Sequence, residues 1–448
     1  MQNPNTKRPY IIGLSAVAAL GGLLFGFDTA IISGTIPYLK TYFLLSELML
    51  GWTVGSILIG CALGAMLAGK LADDFGRRYV LLLCAVLFAI SGLGAALAVN
   101  LESFICFRLI GGLGVGAAAM VSPMYIAESV PARFRGRMVS LYQLAIVSGI
   151  LFAYGSNYFF EAFPDNWRWM FGVQVIPSVV FFCSLLLLPE SPRWLIQNGR
   201  TTAALRALER SRTDEAGQEE HRQILSSLKQ NQEMSLKKGL SVLFSRTNRK
   251  VVWIGIIIAM FQQITGVNSV LYYAPVIFRQ TGIDTSSSIL QTIAIGAVNV
   301  ISTFLAIAFV DKVGRKKFMV VGSLVMGISL TGVALCFEHE YFQDYLVLIL
   351  MLIYVGAFGC TLGAVTWIYL AEVFPGRIRG LGLSLATLSL WLTDFIVTYS
   401  FPYLTDRLGT ASTMYLYAAF CALAFIFYLL KMPETKGKTL EEIEHLFI

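Results

Sequence analysis

Asp73-Asp74-Phe75-Gly76-Arg77-Arg78 returns as Asp311-Lys312-Val313-Gly314-Arg315-Lys316, 238 residues later. Each hexapeptide joins two apolar runs of membrane-spanning length. Glu128, Arg135 and Gly136 return as Glu372, Arg379 and Gly380 at an offset of 244, and Pro189-Glu190-Ser191 returns as Pro433-Glu434-Thr435 at the same offset. Self-similarity at this period predicts two halves of one design.

The rest of the chain fits that reading. Hydrophobic residues make up 56% of the 448 and charged residues 14%, against about 25% charged in ordinary soluble domains. Mean hydropathy is +0.69. A soluble core stops growing at roughly 250–300 residues, so a soluble enzyme is excluded, and so is disorder. A helix needs about 20 apolar residues to cross a bilayer. Twelve runs qualify, near 10–36, 50–71, 79–98, 103–127, 138–160, 167–188, 251–278, 288–310, 318–337, 343–371, 380–404 and 411–430. They are expected to be helices, because open strands would leave backbone groups unpaired in lipid. The first run is long, carries Asp28 and has no small-residue cleavage site, so it does not read as a cleaved leader.

Charge orients the chain. Of 34 Lys and Arg, 29 fall in the N-terminus, the C-terminal tail and one set of alternate loops. The opposite loops hold four: Lys40, Arg168, Arg279 and Arg407. Arg108 lies within span 4. By the positive-inside rule both termini and the long central loop are cytoplasmic. The expected organisation is an all-α membrane protein with a first six-helix bundle at 1–188 and a linker with short surface helices (201–211 and 218–230) at 189–250. A second six-helix bundle at 251–431 and a tail at 432–448 complete it. The seven cysteines (61, 84, 106, 183, 336, 360 and 421) all fall in apolar runs and predict buried thiols with no disulfide framework. His221, His339 and His445 are scattered and form no metal-ligand pattern.

Five motifs in order resemble the sugar porters of the major facilitator superfamily over nearly the whole chain. They are the two Asp-x-x-Gly-Arg loops, Pro189-Glu190-Ser191-Pro192-Arg193-Trp194-Leu195, Gln262-Gln263-x-x-Gly-x-Asn268, and Pro433-Glu434-Thr435-Lys436-Gly437. The closest resemblance is to bacterial proton–xylose symporters. It implies two pseudo-symmetric six-helix bundles (the major facilitator fold), alternating access in the plasma membrane, no cofactor and no catalytic activity.

Span 7 carries Gln262, Gln263 and Asn268, with Tyr272 and Tyr273 just after. Amides inside a span are costly unless paired. They suit a neutral polyhydroxyl ligand, since each offers donors and acceptors; the other reading is interhelical hydrogen bonding. Asn268 is expected near the Gln262 side, with Gly266 and Pro275 loosening the helix. The resemblance adds Phe25, Gln143, Asn299, Trp367 and Trp391 as sugar contacts, and Tyr273 joins them as a candidate. An indole face suits the C–H face of a pyranose. Leu390 and Ile150 depart from the xylose-symporter pattern, where amides are usual.

Asp28 is the one carboxylate well inside span 1. A membrane carboxylate is either held ionised by a cation or protonated, and alternation between the two is what a proton-coupled carrier needs. In the family this Asp and the span-4 Arg, here Arg108, serve proton coupling; the alternative is a static ion pair. Asp394 in span 11 either pairs locally or faces the cavity. The resemblance also implies a cytoplasmic gate of ion-pair networks: Asp73, Arg77, Glu128, Arg135, Glu190 and Arg193 in one half, Asp311, Arg315, Glu372, Arg379 and Glu434 in the other. These are expected to hold the halves together in the outward-facing state. The plainer reading is positive-inside charge alone. Asp74 departs from the usual basic residue.

Two motifs mislead. Gly112-x-Gly114-x-x-Ala117 has no strand before it and reads as close helix packing, and Gly64-x-x-x-x-Gly69-Lys70 lacks the Ser or Thr of a phosphate loop. The basic linker suits anionic lipid headgroups better than nucleic acid. The sequence therefore points to a proton-coupled symporter of a pentose or hexose, such as xylose or glucose. A monomer is expected, since one chain supplies a full pathway. A facilitative uniporter and a non-transporting sugar sensor are the rivals.

Overall fold

The computed structural model describes residues 8–212, 214–230, 241–246, 248–343, 345–375, 378–438 and 442–443, without the side chains of 214, 227–230 and 311. His445 and the end of the tail lie outside these residues. Most of the described residues are helical, with no strand among them. Eleven helices are long and apolar enough to cross a membrane. The last, Arg379–Lys431, carries non-helical Gly409 (φ 82°, ψ 158°), so it is two spans joined at a kink. The spans are therefore twelve, and the chain is a multi-pass membrane protein.

The spans are Arg8–Tyr42, Glu47–Phe75, Arg77–Leu97, Leu101–Ser129, Ala132–Phe160 and Asn166–Leu186 in the first half. In the second half they are Arg249–Arg279, Thr285–Val313, Arg315–Glu338, Leu346–Val373 and the two parts of Arg379–Lys431. Local chemistry sets their ends. Ser46, Asn100 and Asp284 cap spans 2, 4 and 8, each side chain accepting from a backbone N–H three residues on.

The two bundles pack alike. Spans 1 and 5 cross closely: a Cβ on Gly26 would sit 1.9 Å from the Ile146 carbonyl oxygen, and one on Gly149 2.0 Å from that of Leu23. Spans 7 and 11 are their counterparts, tied by Ser269 and Tyr273 donating to the Val397 and Thr398 carbonyls. Spans 2 and 4 meet at Gly112 and Gly116, where added Cβ atoms would lie 2.1 and 2.0 Å from the Ile57 and Cys61 carbonyl oxygens. The dinucleotide-like glycines are thus packing surfaces. Spans 8 and 10 also meet at glycines, Gly356 and Gly359, which face side chains of Val298, Asn299 and Ser302.

The bundles touch each other at the ends of the spans remote from the arginine-rich loops. A Cβ on Gly51 of span 2 would meet the Tyr399 carbonyl oxygen of span 11 at 2.0 Å. Gly296 of span 8 faces Leu151 and Tyr154 of span 5, and Tyr154 donates to the Leu271 carbonyl at 2.9 Å. These two seams are equivalents under the pseudo-symmetry.

Some spans are broken. Span 1 divides after Ala30, span 7 at left-handed Gly266 (φ +90°), and span 10 at a π-turn, Gly359–Gly363. Pro192–Gln197, Thr201–Ser211 and Asp214–Gln230 form the linker helices; the last begins earlier than expected. Among the cysteines, Cys61, Cys84, Cys336 and Cys421 are buried, but Cys106 and Cys183 are exposed. An apolar run in a membrane helix also covers the lipid-facing side, so apolarity alone does not imply a packed interior.

Candidate functional site

The break at Gly266 builds the central cluster. A Cβ there would lie 2.6 Å from the Tyr417 ring, and its positive φ suits glycine. The break shifts the helical phase, so Asn268 partners Gln263 and not the Gln262 side that an unbroken helix suggests. Asn268 Nδ2 donates to Gln263 Oε1 at 3.0 Å and to Asp394 Oδ2 at 2.7 Å. Gln262 turns to span 10, where its Nε2 donates to the Leu362 and Gly363 carbonyls at 3.2 and 3.3 Å. Those carbonyls belong to the π-turn and its exit, where the regular ladder is interrupted. Gln262 is 3% exposed, and its Oε1 has no protein partner.

Trp391 faces the other bundle. Its ring centroid lies 5.7 Å from that of Phe25 in span 1. The indole is 3% exposed, and its Nε1–H also lacks a protein partner. Trp367 is half-buried in the helix that follows the π-turn, and Gln143 is half-buried on span 5. Asn299 is buried against span 10, its Oδ1 2.9 Å from where a Gly359 Cβ would stand. Tyr273 stands apart. Its hydroxyl donates to the Thr398 carbonyl at 3.2 Å, its ring stacks on Phe401, and it lines a cleft of about 530 Å³ with Lys40, Glu47 and Arg279.

Asp28 and Arg108 meet inside the first bundle, both fully buried, with Arg108 Nη1 2.5 Å from Asp28 Oδ1 and 3.1 Å from the Asp28 carbonyl. The guanidinium lies over Phe171, 5.5 Å from its centroid. Arg108 Nε and Nη2 have no hydrogen-bond partner among protein atoms, while the Gln174 side chain reaches Asp28 as a second hydrogen-bonding neighbour. A buried pair stabilises a fold only when its remaining atoms are satisfied, so this one is poorly suited to static bracing. Gly111 makes room for it: a Cβ there would stand 2.7 Å from Asp28 Oδ2.

The repeated motifs are parts of two matching structures. Gly76 and Gly314 adopt φ of 103° and 104°, and added Cβ atoms would lie 2.4 and 2.6 Å from carboxylate oxygens of Glu190 and Glu434. Each carboxylate therefore seats on a helix N-terminus. Glu190 accepts from the Arg78 and Ser191 N–H groups, and Glu434 from Arg315 and Lys316. Burial, the larger influence, pushes the Glu190 carboxyl above its ordinary value of 4.5, against the backbone N–H donors and Arg77. Arg77 pairs with Glu128 at 3.0 Å and Asp73 at 2.9 Å, and Arg315 pairs with Glu372 at 2.8 Å. Ser191 donates to Glu128, as Thr435 does to Glu372.

Among the described residues these pairs close within their own half, and none joins the two bundles. Arg135, Arg193 and Asp74 are exposed, and Arg379 is half-buried, its Nε donating to the Phe374 carbonyl at 3.2 Å. The Asp311 side chain lies outside the described residues. Among those residues no group of His, Cys, Asp and Glu is arranged to hold a metal ion.

Comparison with known proteins places this geometry. The family described as "Sugar (and other) transporter" matches residues 14–447. The arabinose-proton symporter of Bacillus subtilis is 40% identical over 446 residues, covering 98% of this chain and 95% of that protein. The D-xylose-proton symporter of Escherichia coli K12 is 39% identical over 484 residues, covering 99% and 97%. The inward-open structure of the xylose transporter from E. coli superposes with a TM-score of 0.86 at 38% identity, covering 98% of this chain and 100% of that one.

Proposed function

Because the chain belongs to the sugar transporter family, whose members are transporters and not enzymes, we propose that it is a proton-coupled symporter of a neutral monosaccharide, a pentose or hexose. One observation carries the reading: the buried Gln262 Oε1 and Trp391 Nε1–H both lack protein partners. Each suits a sugar hydroxyl, which can donate to the amide oxygen or accept from the indole N–H. Gln263, whose Oε1 is taken by Asn268, offers its N–H donors. Phe25, Gln143, Asn299 and Trp367 complete the proposed sugar contacts, while Tyr273 acts on the outer side. Leu390 and Ile150 leave fewer polar contacts than amides would. The names of the relatives, arabinose and D-xylose proton symporters, support this substrate class.

Asp28 and Arg108 are the proposed coupling pair. A proton on Asp28 removes the charge that Arg108 balances and frees span 1 from span 4. Phe25, three residues before Asp28 on span 1, touches Trp391. Protonation in one bundle is thereby felt at the sugar contact of the other.

The charge distribution supports both termini in the cytoplasm and a plasma-membrane location. The end where the bundles touch is then the outer one, so the cavity faces inward. The proposed domain limits are 1–188, 189–250, 251–431 and 432–448, and one chain holds the whole pathway as a monomer. The Glu190 and Glu434 structures brace the cytoplasmic end of each bundle, so that each rocks as a unit.

The test is Asp28→Asn in proteoliposomes. It should abolish accumulation of D-xylose or arabinose driven by a pH gradient while preserving counterflow. Accumulation by the variant against a gradient would overturn the assignment of Asp28.

A further inference from the structure

Asp394 is used by no step above. It is fully buried in span 11, where its Oδ2 accepts from Asn268 and its Oδ1 from the Thr398 hydroxyl at 3.2 Å. Asp28 has Arg108 beside it; among the described residues no ion pair includes Asp394. The Tyr272 phenol of span 7 and the Cys61 thiol of span 2 lie within electrostatic reach of it, and both lie in turn within reach of Arg108. The other charged groups of its own span, Arg379, Asp406 and Arg407, stand at the span ends. An ionisable group buried in a span without a counter-charge calls for a function.

We infer that Asp394 is a second proton-binding group, on the sugar-binding half, and that its proton sets which hydrogen bonds the Asn268–Gln263 amides offer to the sugar. The inference rests on reading that amide cluster as the sugar site. A carboxylate is acceptor-only. While Asp394 accepts, both N–H bonds of Asn268 are committed, one to Asp394 Oδ2 and one to Gln263 Oε1. Asn268 then presents only its Oδ1, an acceptor, and Gln263 only its N–H donors. A proton added to Asp394 turns one of its acceptors into an O–H donor. That donor satisfies the Asn268 Oδ1, and the amide turns its N–H outward. The polarity of the contact offered to a sugar hydroxyl reverses, with no covalent bond broken and one proton bound. A proton that changes sugar affinity is itself bound differently when sugar is present, by an equal factor.

The experiment uses the full-length Asp28→Asn chain, in which the first acid is silent. Calorimetric titration with D-xylose and arabinose, in buffers of different ionisation enthalpy, counts the protons exchanged on binding. Asp28→Asn should retain a proton exchange and a dissociation constant that shifts with pH. Adding Asp394→Asn should abolish both. Zero exchange and a flat dissociation constant across pH in Asp28→Asn overturn the inference, whether or not the double variant folds. Persistence of both in a folded double variant overturns it too. A wild-type chain that binds neither sugar overturns the reading of the site itself, which separates the two failures.

Discussion

Trp391→Phe isolates one hydrogen bond of the proposed site. The substitution keeps an aromatic ring against Phe25, 5.7 Å away in the native chain, and deletes the indole N–H. Because that N–H has no protein partner, the fold loses no hydrogen bond. Relieving a buried orphan donor is worth about 1–3 kcal/mol, and the smaller ring leaves a void costing roughly 1 kcal/mol or more. The two offset, so the unfolding midpoint should stay near that of the wild type. The sugar, in contrast, loses a donor. A net hydrogen bond of about 0.5–1.5 kcal/mol corresponds to binding weaker by about 2- to 13-fold. Equilibrium binding of labelled D-xylose and arabinose, with thermal unfolding of the same samples, reads both quantities. Unchanged binding in a folded variant would refute the reasoning. A collapse of the midpoint with intact binding would assign the indole to the fold.

Other perturbations bear on the seam, the proton and the cytoplasmic end. Gly51→Val places a side chain 2.0 Å from the Tyr399 backbone oxygen, an overlap costing about 1–3 kcal/mol in the closed-outer state alone. It should favour outward opening about 5- to 150-fold, read as faster labelling by an impermeant thiol reagent of a cysteine placed at buried Ile36; an unchanged rate counts against the seam. Burial holds the Glu190 carboxyl above its ordinary 4.5, so the stability it contributes is full below that value and lost as pH rises through the folded value. Glu190→Gln should flatten that fall in the pH profile of thermal unfolding, and parallel profiles would contradict the assignment. Gly314→Ala strains a φ of 104° and pushes a methyl onto Glu434. Destabilisation of about 1 kcal/mol or more is expected, and an unchanged unfolding midpoint would remove Glu434 from its seat.

What the sequence made legible followed from local pattern. Apolar run length located the spans, and the recurrence of Asp73–Arg78 at 311–316 gave the two halves. The kink at Gly409 divides what is otherwise one continuous helix, as the two separate apolar runs implied. Long-range partners were hidden. Nothing in Pro189-Glu190-Ser191 says that its carboxylate seats on Gly76, because that contact joins residues over a hundred positions apart. The same holds for the ion pairs: the motifs supply the acids and bases, but only folding decides which meet, here Arg77 with Glu128 and Arg315 with Glu372. Phase was lost at Gly266, where a left-handed residue turned Asn268 towards Gln263 and Asp394. The π-turn at 359–363, which occupies the Gln262 amide, has no simple sequence signal, although Gly359 and Gly363 flank it.

Coupled movement of sugar and proton through one path is the core of the account, and an internal pH-sensitive dye in proteoliposomes measures it most directly. Adding D-xylose or arabinose outside, with no imposed pH gradient, should acidify the lumen of vesicles holding the wild-type chain. Sugar entry by the wild type with no accompanying change of internal pH would contradict it.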